Sequence, residues 1–192
     1  PSVPLLIGGA PVTTGEWLDV MDPAAPRRSV GRVAAASEEL SRKAVEAAYA
    51  ASERWGALEP QRRVEILLEA LGALESGRAE NAELLVRENG KIRREADADL
   101  AVFAGRIRLA AGLVGEISEP RHLPRAKSDT PLPAGTPPFR SEVTHLPLGV
   151  VSIIVPFNWP LAILSASLPY ALVAGNAVIV KPPPTAPLAI SR

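Results

Sequence analysis

The sequence predicts an α/β fold, in which a run of amphipathic helices leads into a parallel strand–helix–strand unit. Two stretches carry this expectation. Val150, Val151, Ser152, Ile153, Ile154 and Val155, and again Ala177, Val178, Ile179 and Val180, are almost wholly apolar and rich in β-branched residues. That is the texture of strands covered on both faces. Between them, residues 161–174 are apolar nearly all round and stop at Gly175 and Asn176, which suits a buried helix. Strand, helix and strand within about thirty residues imply two parallel strands joined by a right-handed crossover.

The elements before this unit follow in order. Leu5, Leu6 and Ile7, then Gly8 and Gly9, then residues 16–20 read as two short strands around a glycine turn. Asp22 and Pro23 stop the second strand, and residues 29–33 add a third at the edge. Ser37 is placed to cap the first long helix, whose apolar stripe is Leu40, Ala44, Ala47, Ala48, Ala51 and Trp55. Pro60 belongs at the first turn of a second helix, with the stripe Val64, Leu67, Leu68, Leu71 and Leu74 ending near Gly77. Residues 78–89 form a shorter helix closed by Gly90. The fourth helix carries Leu100, Phe103, Ala104, Ile107, Ala110, Ala111 and Val114 on one face.

Composition narrows the partners. The 192 residues suffice for one well-cored domain, or for one and a fraction. Hydrophobic residues make up 47% and charged ones 22%, and 21 basic residues balance 21 acidic ones. A neutral surface gives no pull toward nucleic acid or anionic lipid. With no cysteine there is no disulfide framework and no thiolate metal site. His122 and His145 lack partners at ligand spacing, so no metal is expected. No basic and apolar leader opens the sequence, and the apolar run at 159–173 is broken by Ser165, Ser167 and Pro169. A cytoplasmic protein without a membrane partner is the expectation.

Residues 119–139 change character, with Pro120, Pro124, Pro131, Pro133, Pro137 and Pro138 among few large apolar residues. Such a stretch is extended and too proline-rich for a central strand. It fits a linker, or an edge arm reaching toward another subunit. Residues 141–146 can form a strand beyond it.

Ligands of open parallel sheets gather at the carboxyl ends of the strands. Here those ends are the turn at 156–160 and the turn at 181–184. No G-x-G-x-x-G is present to signal a dinucleotide directly. Asn158 lies between Pro156 and Pro160, where a side-chain amide offers fixed donors to an oxyanion, worth roughly 3 kcal/mol. A turn asparagine can equally bond its own backbone. Lys181 ends the second strand, where its cation can meet ribose hydroxyls or a phosphate, or simply reach water.

The two turns together, VPFNWPL at 155–161 and AGNAVIVKP at 174–182, closely resemble the aldehyde dehydrogenase superfamily in residues and spacing. Looser similarities are the Ile7, Gly8, Gly9 opening, Asp22 with Pro23 and Ala24, the ENGK run at 88–91, and PLGVV at 147–151. The resemblance spans about Ile7 to Arg192. It implies a Rossmann-like nucleotide-binding domain and oxidation of an aldehyde to an acid with NAD or NADP, through a thiohemiacetal on a cysteine. Asn158 matches the oxyanion-holding asparagine. Val155, Pro156 and Phe157 match positions lining the nicotinamide-side ribose pocket. Lys181 matches the lysine that binds the adenosine ribose or the 2′-phosphate. The proline-rich arm sits where the family places an oligomerisation hairpin, and implies a homodimer or homotetramer.

Two departures matter. Pro184 stands where NAD-preferring relatives often carry a ribose-gripping glutamate, so NADP should be tolerated. The family's nucleophilic cysteine, general-base glutamate and phosphate-binding helix all lie beyond the matched region. These residues alone are therefore expected to be inactive, as a truncated piece of a larger enzyme. A non-catalytic oligomerisation or interaction module derived from that family is the alternative. The expected division is 1–118 for the first strands and helices, 119–146 for the arm, and 147–192 for an incomplete first βαβ unit.

Overall fold

The computed structural model describes residues 1–123 and 141–191. Five strands open the chain: β1 (Ser2–Val3), β2 (Leu5–Ile7), β3 (Ala10–Val12), β4 (Trp17–Asp22) and β5 (Ala25–Ala34). Gly8 and Gly9 have φ of 61° and 80°, and they join β2 to β3 in an antiparallel pair. The glycine turn therefore does not lead to the strand at 17–22; Pro11 hid β3 from a reading by strand propensity. β4 instead pairs antiparallel with β5, and β1 adds in parallel on the other side. The order β1-β5-β4 makes β5 central and not an edge.

Asp22 builds the turn from β4 to β5. Its Oδ1 accepts the Ala24 N–H at 2.9 Å, and its Oδ2 accepts from Nε of Arg28 at 3.1 Å and from the neighbouring Nη2. The hydrogen bond from Arg28 holds this carboxyl below the usual carboxylate range, against the opposing effect of its burial.

The helices follow as α1 (Glu38–Gly56), α2 (Pro60–Ser76), α3 (Arg78–Asn89), α4 (Arg93–Gly112) and a short α5 (Val114–Ser118). Ser37 caps α1, its Oγ accepting the Leu40 N–H at 3.2 Å. The predicted α1 stripe is half-buried throughout. On α2, Val64, Leu67 and Leu71 are buried, while Leu68 is exposed because it lies at the outer edge of the stripe. Pro60 occupies the first turn. Gly90 ends α3 with φ of 78°. Leu100, Phe103, Ala104, Ile107 and Ala110 of α4 are buried as expected, whereas Val114 belongs to α5. Arg63 is a buried cation that the apolar pattern did not flag. Its Nε donates to Val173 O at 3.0 Å, and its Nη1 donates to Gly56 O at 3.2 Å and Leu58 O at 2.5 Å. Burial pulls its pKa below the ordinary arginine value.

β6 (Arg121–Leu123) pairs antiparallel with β7 (Ser141–Val143), a strand shorter than the 141–146 expected. The proline-rich segment between them, from Pro124 on, lies outside the described residues.

The last unit comprises β8 (Val150–Ile154), α6 (Pro160–Leu164), α7 (Leu168–Val173), β9 (Ala177–Lys181) and α8 (Leu188–Ser191). β8 and β9 are parallel, in register from Val150 opposite Ala177 to Ile154 opposite Lys181. Asn176 closes the crossover, its Oδ1 accepting the Gly149 N–H at 3.1 Å while Ala177 N donates to Gly149 O at 2.8 Å.

Two expectations change here. The single helix over 161–174 is two, because Pro169 cannot donate into a continuous ladder, and Ser165 Oγ donates to Ala162 O at 2.7 Å where the first helix ends. The strands are also covered unevenly: among the described residues the face carrying Ala177 and Ile179 is buried or half-buried near its start and open at its end. Val151, Ile153, Val155, Val178 and Val180 pack into the core, but Ser152 is exposed and Ile154 is 73% exposed.

α4 is the hub, packing against α2, α3, α6 and α7, while α1 lies on β9 and β8. One core cluster runs from Val20, Val30 and Val33 through the helices to Ile153, Val155 and Leu188.

Candidate functional site at the strand tips

β8 and β9 end level with each other. The Val155 N–H donates to Lys181 O at 3.1 Å, one step beyond the last paired residues. Past Val155, which is buried, the chain turns outward and exposes Pro156, Phe157 and Asn158. It dives back at Trp159, and buried Pro160 starts α6, where the missing proline N–H costs nothing. The Asn158 side chain makes no hydrogen bond among the described residues, so its amide is not spent on its own turn.

The turn itself is anchored from behind. Asn89 Nδ2 donates to Phe157 O. The Lys91 ammonium lies 3.8 Å from the centre of the Trp159 ring. That ammonium also pairs with Asp99 Oδ2 at 2.8 Å, with side-chain exposures of 5% and 0%. The second oxygen of Asp99 accepts the Ala162 N–H at 2.6 Å, and Arg106 Nη1 donates to Ala162 O at 2.5 Å. Sequence reasoning missed Asp99 and assigned nothing to Lys91. A signal existed: Asp99 falls on the apolar stripe of α4, between Ala96 and Phe103, where a carboxylate needs a partner.

On the other tip Lys181 is exposed at the end of β9, followed by buried Pro183 and exposed Pro184 in a turn. Among the described residues Lys181 has no ion pair. The chain then enters α8, whose first amides are held by Glu88. Leu188 N donates to Glu88 Oε2 at 2.7 Å and Ala189 N to Oε1 at 2.8 Å. Burial pushes the Glu88 carboxyl up to about 7, although the two N–H donors work against that rise. Glu88 was also missed as a structural acid.

The structure thus brings Val155, Pro156, Phe157, Asn158, Lys181 and Pro184 to one end of the parallel pair. At that end an exposed amide has donors suited to a carbonyl oxygen, and an exposed ammonium has a charge suited to a phosphate or ribose. His145 is exposed and His122 lies 3.5 Å from Glu142. No grouping of acids and histidines that could hold a metal ion occurs among the described residues. No helix there is long and apolar enough to cross a membrane.

Residues 11–192 match the model of the aldehyde dehydrogenase family. The chain is 34% identical over 189 residues to 1-pyrroline-5-carboxylate dehydrogenase of Bacillus mycoides (strain KBAB4), covering 98% of this chain and 35% of that protein. Among solved structures, a 1-pyrroline-5-carboxylate dehydrogenase from Thermus with bound NAD superposes with a TM-score of 0.84 at 31% identity, over 98% of this chain and 35% of that one. An NADP-dependent glyceraldehyde-3-phosphate dehydrogenase from Bacillus halodurans C-125, complexed with NADP, gives 0.89 at 28% identity, over 99% and 39%. The chain therefore spans about a third of the length of the relatives it matches, with their α/β fold.

Proposed function

Because this chain belongs to the aldehyde dehydrogenase family, we propose that it supplies the oxyanion donor and part of the dinucleotide cleft of an enzyme oxidising an aldehyde to a carboxylic acid with NAD or NADP. The observation that carries this is the Asn158 amide, exposed and without a hydrogen bond among the described residues, on a turn pinned from behind.

When a thiolate adds to an aldehyde carbonyl, the π pair moves to oxygen, and Asn158 Nδ2–H donates to that developing charge. The chain contains no cysteine, so in this mechanism the thiolate lies outside these 192 residues. A bound nicotinamide would accept the hydride from the substrate carbon. The tips suit such a cofactor: Lys181 offers an exposed cation for the adenosine ribose or a 2′-phosphate, and exposed Pro184 offers no carboxylate to repel that phosphate. Val155, Pro156 and Phe157 would line the nicotinamide-side ribose. The relatives are named for different substrates, which leaves the class at aldehydes.

In the same reading residues 1–118 and 147–192 belong to the nucleotide-binding part. Residues 119–146 form the arm of a cytoplasmic homodimer or homotetramer, and the paired strands β6 and β7 at its base support that. A second reading, a non-catalytic interaction module, is favoured only by the missing thiol. It predicts no aldehyde-dependent reduction of NAD or NADP by the natural protein.

Replacing Asn158 by alanine tests the leading reading. In the enzyme carrying this chain, kcat for aldehyde oxidation should fall by about 10²–10³ with KM for the dinucleotide little changed. A kcat within threefold of the unmodified protein refutes it.

A further inference from the structure

We propose that Lys91 and Asp99 are positioning residues for the Asn158 turn: their buried ion pair clamps Trp159 on one side of Asn158 and Ala162 beyond it. This rests on the role proposed for Asn158, and it adds what fixes the amide in place.

The geometry runs outward from Asp99, which is fully buried on α4. One of its carboxylate oxygens holds the Lys91 ammonium at 2.8 Å, and the other holds the Ala162 N–H at 2.6 Å, in the first turn of α6. An N-terminal helix amide lacks an intrahelical acceptor, so a carboxylate there fixes where the helix begins. The ammonium, kept in place by Asp99, sits 3.8 Å from the centre of the Trp159 ring. Asn89, two residues before Lys91, donates to Phe157 O. Phe157, Trp159 and Ala162 are thus tied to the last residue of α3, to the α3–α4 connection and to α4 respectively. Asn158 lies between the first two with its side chain in the open. An exposed loop amide would otherwise wander, and an oxyanion donor must hold its place to within about 0.5 Å.

A buried ion pair is weak evidence of added stability, since apolar replacement of both partners is often neutral. Its directional contacts to Trp159 and Ala162 are what an apolar pair cannot reproduce. That difference makes the clamp testable apart from its effect on folding.

The variants are Asp99→Asn, which keeps an acceptor for Ala162 but leaves the Lys91 cation without its counter-charge, Asn89→Ala, the single replacements Lys91→Met and Lys91→Arg, and the apolar double replacement Lys91→Met with Asp99→Leu, which removes both charges together. In the full natural protein, hydrogen–deuterium exchange of the peptide over 155–164 should rise at least tenfold in the double variant, with peptides from α2 unchanged. Fluorine resonances of 5-fluorotryptophan at position 159 should shift in both Asp99 variants, while those at Trp17 and Trp55 stay. For aldehyde oxidation kcat should drop tenfold or more, with KM for the dinucleotide within threefold, and Lys91→Arg should recover most of that loss from Lys91→Met. Unchanged exchange and an unmoved Trp159 resonance in a folded double variant overturn the inference. So does a uniform rise in exchange across the protein. If Asn158→Ala leaves kcat intact, the role of Asn158 fails, and the exchange and fluorine measurements still decide whether the clamp holds the turn.

Discussion

The carboxylate of Glu88 accepts the N–H of Leu188 at 2.7 Å, across 100 residues of chain, and so ties the end of α3 to the start of α8. Burial lifts this group from its ordinary 4.5 to about 7, so the folded protein holds the proton more tightly than the unfolded chain does. Its contribution to stability is full below pH 4.5 and is lost as pH climbs through 7, a change of roughly 3 kcal/mol. Urea unfolding at pH 5 and pH 8 should show that fall, and Glu88→Gln should flatten it. Equal slopes in the two proteins would assign the pH dependence to other groups.

Arg63 fills the turn between α1 and α2 and satisfies the carbonyls of Gly56, Leu58 and Val173. Methionine matches its stem but leaves those buried acceptors without a donor. Arg63→Met should cost about 2–4 kcal/mol, seen as a lower denaturation midpoint with an unchanged slope. A loss below 0.5 kcal/mol would mean that water replaces the guanidinium.

Gly90 combines a φ of 78° with a close approach, since an added Cβ would stand 2.9 Å from Cγ of Pro23. Gly90→Ala therefore meets both a strained backbone and a ring in the β4–β5 turn. A destabilisation of about 2 kcal/mol is expected in thermal or chemical unfolding. Wild-type stability for this variant would show that the turn at Pro23 yields.

On the proposed role of the strand tips, Pro184 bears on cofactor choice. In the enzyme carrying this chain, NADP should support turnover, and Pro184→Glu should lower kcat/KM for NADP at least tenfold relative to NAD, by placing a carboxylate near the 2′-phosphate. Steady-state kinetics with both dinucleotides checks this. A natural enzyme that binds NAD a hundredfold more tightly than NADP contradicts it.

Much of this was legible in the residues, for identifiable reasons. Ser37, Pro60, Gly90, Gly175 and Asn176 punctuate helices through local backbone chemistry, so their places followed from neighbours in sequence alone. The parallel pairing of β8 and β9 followed from their composition and the length of chain between them. What escaped depended on distant partners. Asp99 and Glu88 drew no role from the sequence, because the partners that define them, Lys91 for one and the α8 amides for the other, are set by the fold. β5 looked like an edge because β1, only two residues long, carries no pattern of its own. Asn158 and Lys181 stand out by their motifs, whereas the residues behind the turn share no motif with it.

The link between Gly149 and Asn176 also sets how the last unit can assemble. Parallel strands must wait for their crossover to close, which makes such pairings slow to start. Here a side chain and a backbone amide seal the crossover across a separation of 27 residues, a modest entropy of closure. From that link the rungs run without a shift from Val150 opposite Ala177 to Ile154 opposite Lys181, so the same short closure that fixes the crossover also fixes where Val155 meets Lys181.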